Sequence, residues 1–154
     1  MKRLEGRVAT ITGGGSGLGK ATAIRFASEG ALVVIADMDE KSGQAVATEV
    51  NGTFIKCNVA DKASVDNMFA EVFKKFGKID IAFNNAGISP PDDDSILTTE
   101  IEAWDKVQLV NLTSVYLCCK AVLPYMLKAK KGSIINTASF VATLAAATSQ
   151  IAYT

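Results

Sequence analysis

Arg7-Val-Ala-Thr-Ile-Thr-Gly-Gly-Gly-Ser-Gly-Leu-Gly19 joins a strand-like run, Arg7 to Thr12, to a helix-like stretch that continues from Leu18 to Glu29. Such a junction suits an anion. Glycine takes positive φ and lets the main chain come close to a pyrophosphate, while the exposed N–H groups and dipole of a helix start favour negative charge. Gly13, Gly17 and Gly19 follow the spacing G-x-x-x-G-x-G, and G-x-G-x-x-G cannot be threaded from Gly13 and Gly15 because Leu18 stands where the next glycine is needed. Thr12, Gly13, Ser16, Gly17, Leu18 and Gly19 are therefore candidates to hold a dinucleotide.

Outward from this turn, further apolar runs read as strands at Leu32 to Ala36, Thr53 to Cys57, Ile79 to Phe83 and Ser133 to Ala138. They are continuously apolar rather than alternating, as expected for a parallel sheet covered on both faces. Helix-length segments separate them. The first carries small residues (Ala21, Ala23, Ala27) and ends at Gly30, the second follows Asp39 as N-cap and runs toward Val50, and the third spans Lys62 to Phe76 before Gly77. The pattern predicts one α/β domain over residues 1–154, a doubly wound parallel sheet with helices on both faces. A longer segment, Glu100 to Lys128, is apolar on more than one face, as in a helix deeply buried in its own domain or one clamped between its own sheet and a second subunit. Pro124 within it predicts a kink near its end.

Sixteen basic and sixteen acidic residues cancel, so no global field favours nucleic acid or an anionic membrane. The amino-terminal run is too broken by glycine to read as a signal peptide, and no stretch is expected to serve as a membrane helix. Cys57, Cys118 and Cys119 form neither C-x-x-C nor an even set, which suits a reducing cytoplasm rather than a disulfide framework or zinc site. No histidine is present, so a Ser-His-Asp triad within this chain is excluded. The loop Ile88-Ser-Pro-Pro-Asp-Asp-Asp-Ser95 lacks the alternating spacing of a calcium loop and reads as solvated, with no metal expected.

Asp37 directly follows the run Leu32-Val-Val-Ile-Ala36, where a carboxylate can accept hydrogen bonds from an adenosine ribose and repel a 2′-phosphate. With no arginine or lysine beside it, it favours NAD over NADP. Asn111 is an amide in an apolar helix and requires partners. Asn84-Asn85-Ala86-Gly87 follows the fourth strand, its small residues leaving room for a cofactor and its amides able to tie neighbouring strands. Ser139 ends the fifth strand, and Tyr153 lies further on.

Together, these motifs and the glycine spacing resemble the classical short-chain dehydrogenase/reductase family over essentially the whole sequence. The resemblance implies a Rossmann-like fold, with Asn58-Val59 at the adenine in place of the family's usual Asp-Val, and Asn85, Ala86 and Gly87 also contacting the cofactor. It implies a catalytic set of Asn111, Ser139 and Tyr153, in which tyrosine moves the substrate hydroxyl proton, serine polarises the same oxygen and asparagine holds a water in the relay. A free tyrosine titrates near pH ~10, and the family lowers this with a lysine one helical turn later. That position lies beyond Thr154, as do the rest of a helix starting near Tyr153 and two further strands, so the family fold is expected to be incomplete here. The resemblance also implies a homodimer or homotetramer through the helix around residues 104–128. The expected activity is NAD-dependent interconversion of a small-molecule secondary alcohol and a ketone. A dinucleotide-binding module without turnover is the alternative, and a fold-sharing epimerase or dehydratase fits the glycine spacing less well.

Overall fold

All five strands of the computed structural model, which describes residues 2–144 and 148–154, run parallel. They are β1 (Val8–Thr12), β2 (Leu32–Asp37), β3 (Thr53–Lys56), β4 (Ile81–Asn84) and β5 (Ser133–Asn136), paired in the order β3-β2-β1-β4-β5. This is the doubly wound sheet predicted from the apolar runs. The order reverses between β1 and β4, and beyond the carboxyl ends of strands at such a switch point lies the crevice in which open α/β sheets bind ligands. The two sequence motifs fall there: the glycine turn leaves β1, and Asn85-Ala86-Gly87 leaves β4.

Helices cover both faces. On one, α1 (Gly17–Ser28) and α2 (Glu40–Glu49) bring Ala23, Val46 and Ala47 against Ile11, Val33 and Ile35. On the other, α3 (Lys62–Phe76) and α5 (Ser114–Ala129) pack Met68, Phe69, Val72 and Val122 against Val8, Val34, Ala36 and Ala82. Residues 33 and 35 point opposite to 34 and 36, so both sets are apolar because both faces are buried. The helix punctuation follows the sequence: Asp39 accepts from Lys41 and Ser42 N–H, Asp61 accepts from Ala63 N–H, and Gly77 ends α3 with φ of 71°. Strand ends shift by one or two residues from the predicted limits. Asn84 belongs to β4 because it pairs with Asn136, and β5 stops at Asn136 with one last main-chain bond from Thr137 N–H to Asn84 O.

The long segment is where the structure departs most from expectation. It is helical from Ile101 to Ala129, but in three parts: α4 (Ile101–Gln108), a widened π turn (Leu109–Thr113) and α5. The helix continues through Pro124, and a widening that the sequence did not suggest falls around Asn111. The side chain of Asn111 is held by a neighbouring loop, and the Ser114 hydroxyl donates back to Val110 O, a bond that competes with regular helix geometry. By length and composition this 29-residue helix could cross a membrane, contrary to the expectation from sequence. Its Cys118, Val122 and Met126 are buried in the core beneath α3, as in a helix of the domain itself.

At the amino end of the sheet the carboxylate of Asp80 is almost wholly enclosed. It accepts from Val8 N–H at 3.0 Å and from Arg7 at 3.0 Å, with Lys78 at 3.3 Å and Lys131 at 3.9 Å. Burial alone would raise its pKa, but the bonds from Val8, Arg7 and Lys78 outweigh that and hold it below the ordinary 3.8. A folded-state value below the unfolded one means that the carboxylate stabilises the fold fully at neutral pH, and that this contribution disappears as pH falls through the depressed value. The cations are half exposed and contribute little, so the main loss on substitution is satisfaction of the Val8 N–H. Asp80→Ala is expected to cost about 1–3 kcal/mol in urea unfolding at pH 7. The gap from wild type should narrow as the pH is lowered below about 4.

Candidate active site

The glycine turn is shaped by what lies against it. A Cβ on Gly19 would stand 2.1 Å from Gly13 O and 2.8 Å from the Asn85 amide, so only glycine lets α1 start this close to the end of β4. Gly17 has φ of 50° and nothing within 4 Å of its Cβ position, so its requirement is conformational and its open side faces the crevice. Ser16 stands at the N-cap but makes no capping bond with its side chain, and the first turn of α1 carries no acidic residue. The N–H groups at this helix end are thus left to an outside acceptor.

Thr12 locks the turn to β4: its hydroxyl oxygen accepts from Asn85 N–H at 3.0 Å and Ala86 N–H at 3.1 Å. The Asn85 amide donates to Thr12 O at 3.2 Å and accepts from the Thr137 hydroxyl at 3.2 Å, while Asn84 donates to Asn136 at 2.8 Å. The two amides therefore tie β1, β4 and β5 together at their carboxyl ends. Asp37, at the end of β2, accepts from Gly15 N–H at 2.8 Å and from Asp39 N–H at 3.0 Å. It is a prop for the glycine turn as well as a carboxylate at the crevice, a duty its sequence position does not reveal.

A cleft of about 520 Å³ runs from this turn along the sheet edge, lined by Gly13, Ser16, Gly17, Leu18, Asp37, Asn58, Val59 and Asn85 to Gly87. Leu18 is 69% exposed, a large apolar side chain laid open at the helix start. The Asn58 side chain accepts from Ala60 N–H and turns the chain toward α3, and Val59 is buried behind it. Of the twelve candidate cofactor residues, Thr12 and Gly19 do not line the cleft but hold its wall. The uncapped helix start and the Asp37 carboxylate thus face one cleft, donors at one point and an acceptor at the other.

A second cleft, about 380 Å³, contains Asn111, Ser139 and Tyr153 together with Gln108, Leu112, Val115 and Ala138. Asn85, Ala86, Gly87, Thr137 and Tyr153 line both clefts, so Tyr153 stands where the two meet. Ser139 follows β5, and its oxygen accepts from Val141 N–H at 3.4 Å at the start of a short helix, α6 (Val141–Leu144). Asn111 makes a reciprocal pair with the main chain of Ile88, donating to its carbonyl and accepting from its N–H, both at 2.8 Å. Its side-chain partners are therefore backbone groups. Tyr153 lies in a turn, with Thr154 N–H donating to Gln150 O at 3.0 Å.

The acidic loop is exposed over much of its length, as expected, with one exception. Asp93 is buried, 3% exposed, because it accepts from the main-chain N–H groups of Ala152 at 2.8 Å and Tyr153 at 3.0 Å. Sequence reasoning also passed over Gln108, Thr137 and Lys106. Gln108 had a signal: it stands three residues before Asn111, on the same helix face, as a second amide in an apolar run.

A Rossmann-type dinucleotide-binding domain is what this sheet order, glycine turn and cleft define. The model of the short chain dehydrogenase family matches residues 7–154, and the chain belongs to that family. It is 42% identical over 146 residues to secoisolariciresinol dehydrogenase of Forsythia intermedia, covering 93% of this chain and 53% of that one. It is 39% identical over 140 residues to meso-2,3-butanediol dehydrogenase of Serratia marcescens, covering 89% and 55%. Among solved structures, the 3-ketoacyl-(acyl-carrier-protein) reductase of Brucella melitensis complexed with NADH superposes with a TM-score of 0.91 at 36% identity, over 97% of this chain and 63% of that one. The chain spans about half the length of the curated relatives it matches.

Proposed function

We propose that this chain forms the cofactor-binding part, and much of the catalytic site, of an NAD-dependent oxidoreductase that interconverts a secondary alcohol and a ketone. The observation that carries the reading is the position of Tyr153, shared between the cleft at the glycine turn and the cleft containing Ser139 and Asn111. Gly13, Ser16, Gly17 and Leu18 would hold the pyrophosphate, Asp37 the adenosine ribose, Asn58 and Val59 the adenine, and Asn85 to Gly87 the approach to the nicotinamide, with Thr12 and Gly19 fixing that wall. Bound NAD supplies the carbon that accepts or returns hydride. The Tyr153 hydroxyl takes or gives the proton of the substrate oxygen, and the Ser139 hydroxyl hydrogen-bonds the same oxygen and fixes its direction. The Asn111 amide is engaged with Ile88 and so fixes the loop after β4 beside the site, from which Asn111 would support the proton relay. In the family pattern a lysine one helical turn after the tyrosine completes this set.

The stripe of exposed apolar side chains on the long helix, with Ile101, Leu112, Tyr116 and Leu127 each more than half exposed, supports self-association of two copies along it. Three free thiols, two of them buried, suit a cytoplasmic setting. Cys118 is pushed up to about 12 by burial, with Cys57 and Cys119 adding to the effect.

The test is absorbance at 340 nm in the protein containing this chain, with a panel of uncharged secondary alcohols and NAD or NADP. Reduction of NAD with at least one alcohol is the expected result. Tight NADH binding with no turnover on any alcohol or ketone would favour the binding-module reading instead.

A further inference from the structure

Asp93 has no part in the chemistry just described, yet it is among the few buried polar residues of the chain, and both of its oxygens are spent on the segment that carries Tyr153. Oδ1 accepts from Ala152 N–H at 2.8 Å and Oδ2 from Tyr153 N–H at 3.0 Å. The same loop adds main-chain support, since Asp94 O accepts from Ile151 N–H at 3.0 Å. From the opposite side, Gln108 donates to Ala152 O at 2.8 Å. The other end of the loop is held as firmly: Ile88, five residues before Asp93, exchanges two hydrogen bonds with Asn111. One loop thus spans the distance between Asn111 and Tyr153 and is fixed to both.

We propose that Asp93 is a positioning residue for Tyr153, and that loop 88–95 sets the tyrosine hydroxyl against the site containing Asn111 and Ser139. This rests on the reading of Tyr153 as the proton donor and acceptor. A carboxylate is needed rather than any polar group. Two neighbouring N–H donors require two acceptors on one side chain, and an amide has only one, so asparagine would turn its own NH2 toward a donor. Loss of one anchor lets the turn at residues 151–153 rotate, and a displacement of about 1 Å at a reacting group can cost about 100-fold in rate.

In the protein containing this chain, Asp93→Asn is expected to lower kcat by about 100-fold while leaving the NADH dissociation constant within about twofold, with an intact fold at the assay temperature. Asp92→Asn, its exposed neighbour, should leave kcat unchanged. Groups that act as a unit are not additive, so in a Tyr153→Phe background Asp93→Asn should lower the residual rate no further. Amide hydrogen exchange adds a readout that needs no variant: the N–H groups of Ala152 and Tyr153 should be protected in the wild-type protein. An unchanged kcat in Asp93→Asn, an equal loss of NADH affinity, additive losses in the double variant, or fast exchange at Ala152 and Tyr153 would each overturn the proposal. Full turnover by Tyr153→Phe would instead remove the reading of Tyr153 on which it rests, whatever Asp93 does.

Discussion

Tyr153→Phe, in the protein containing this chain, is expected to lower kcat by about 100- to 10,000-fold, the range that general acid–base catalysis contributes. NADH binding should be retained. Phenylalanine keeps the ring that walls both clefts and removes only the hydroxyl, so the two effects separate if the oxygen is the proton-transfer group. The fold should survive as well: the anchoring bonds at this position run from the main-chain N–H of Tyr153, not from its side chain. Stopped-flow hydride transfer with fluorescence titration of NADH checks both halves. A parallel fall in rate and cofactor affinity would mean that the hydroxyl serves binding, and the assignment of Tyr153 would go.

Asp37→Ala should shift the ratio of kcat/KM for NAD over NADP by about 100-fold toward NADP. A carboxylate about 4 Å from a 2′-phosphate repels it by up to about 4 kcal/mol per unit charge at intermediate dielectric, and water and salt reduce that to the expected figure. The structure adds a second consequence. Asp37 also accepts from Gly15 N–H at 2.8 Å, so alanine releases the glycine turn and should weaken both cofactors. Asp37→Asn discharges the repulsion and, with its oxygen toward Gly15 N–H, keeps that bond at the cost of the one from Asp39 N–H, so it should weaken both cofactors less than alanine does. Measured NAD preference equal to wild type in both variants would remove Asp37 from the selectivity argument.

How much could be read in advance divides along the range of the interactions. The glycine turn, the five apolar runs, Asp39 and Gly77 act on neighbours within a few residues, and the helices and strands they specify were found within one or two positions. Asn84 and Asn85 were legible as ties because two amides at the end of a central strand have few other uses. Asp93 was not. In sequence it is the middle of three aspartates, and nothing local distinguishes it from Asp92 or Asp94. Its burial comes from donors some sixty positions later along the chain. The π turn was hidden for a related reason. Apolar residues spread around the segment 100–128 suggested a helix covered on several sides, and the shift of hydrogen-bond pattern at Asn111 arises from a loop that clamps it. Asp37 was placed correctly at the end of β2, but its bond to Gly15 requires the turn to fold back over the strand.

The widened turn at Leu109–Thr113 also sets the rotational phase between the two halves of the long helix. Each residue of an α-helix turns the next by about 100°. A register fixed by an extra-wide turn therefore makes α4 and α5 two gears meshed at a chosen tooth: α4 seats Ala103 and Val107, α5 seats Ser114, Cys118 and Val122, and neither set can be advanced alone. Length along this helix is thus quantised. Replacements between Gln108 and Ser114 leave that phase in place, whereas one residue inserted in the regular part of α5 would turn every later side chain by about 100° and carry Val122 and Met126 away from the core together.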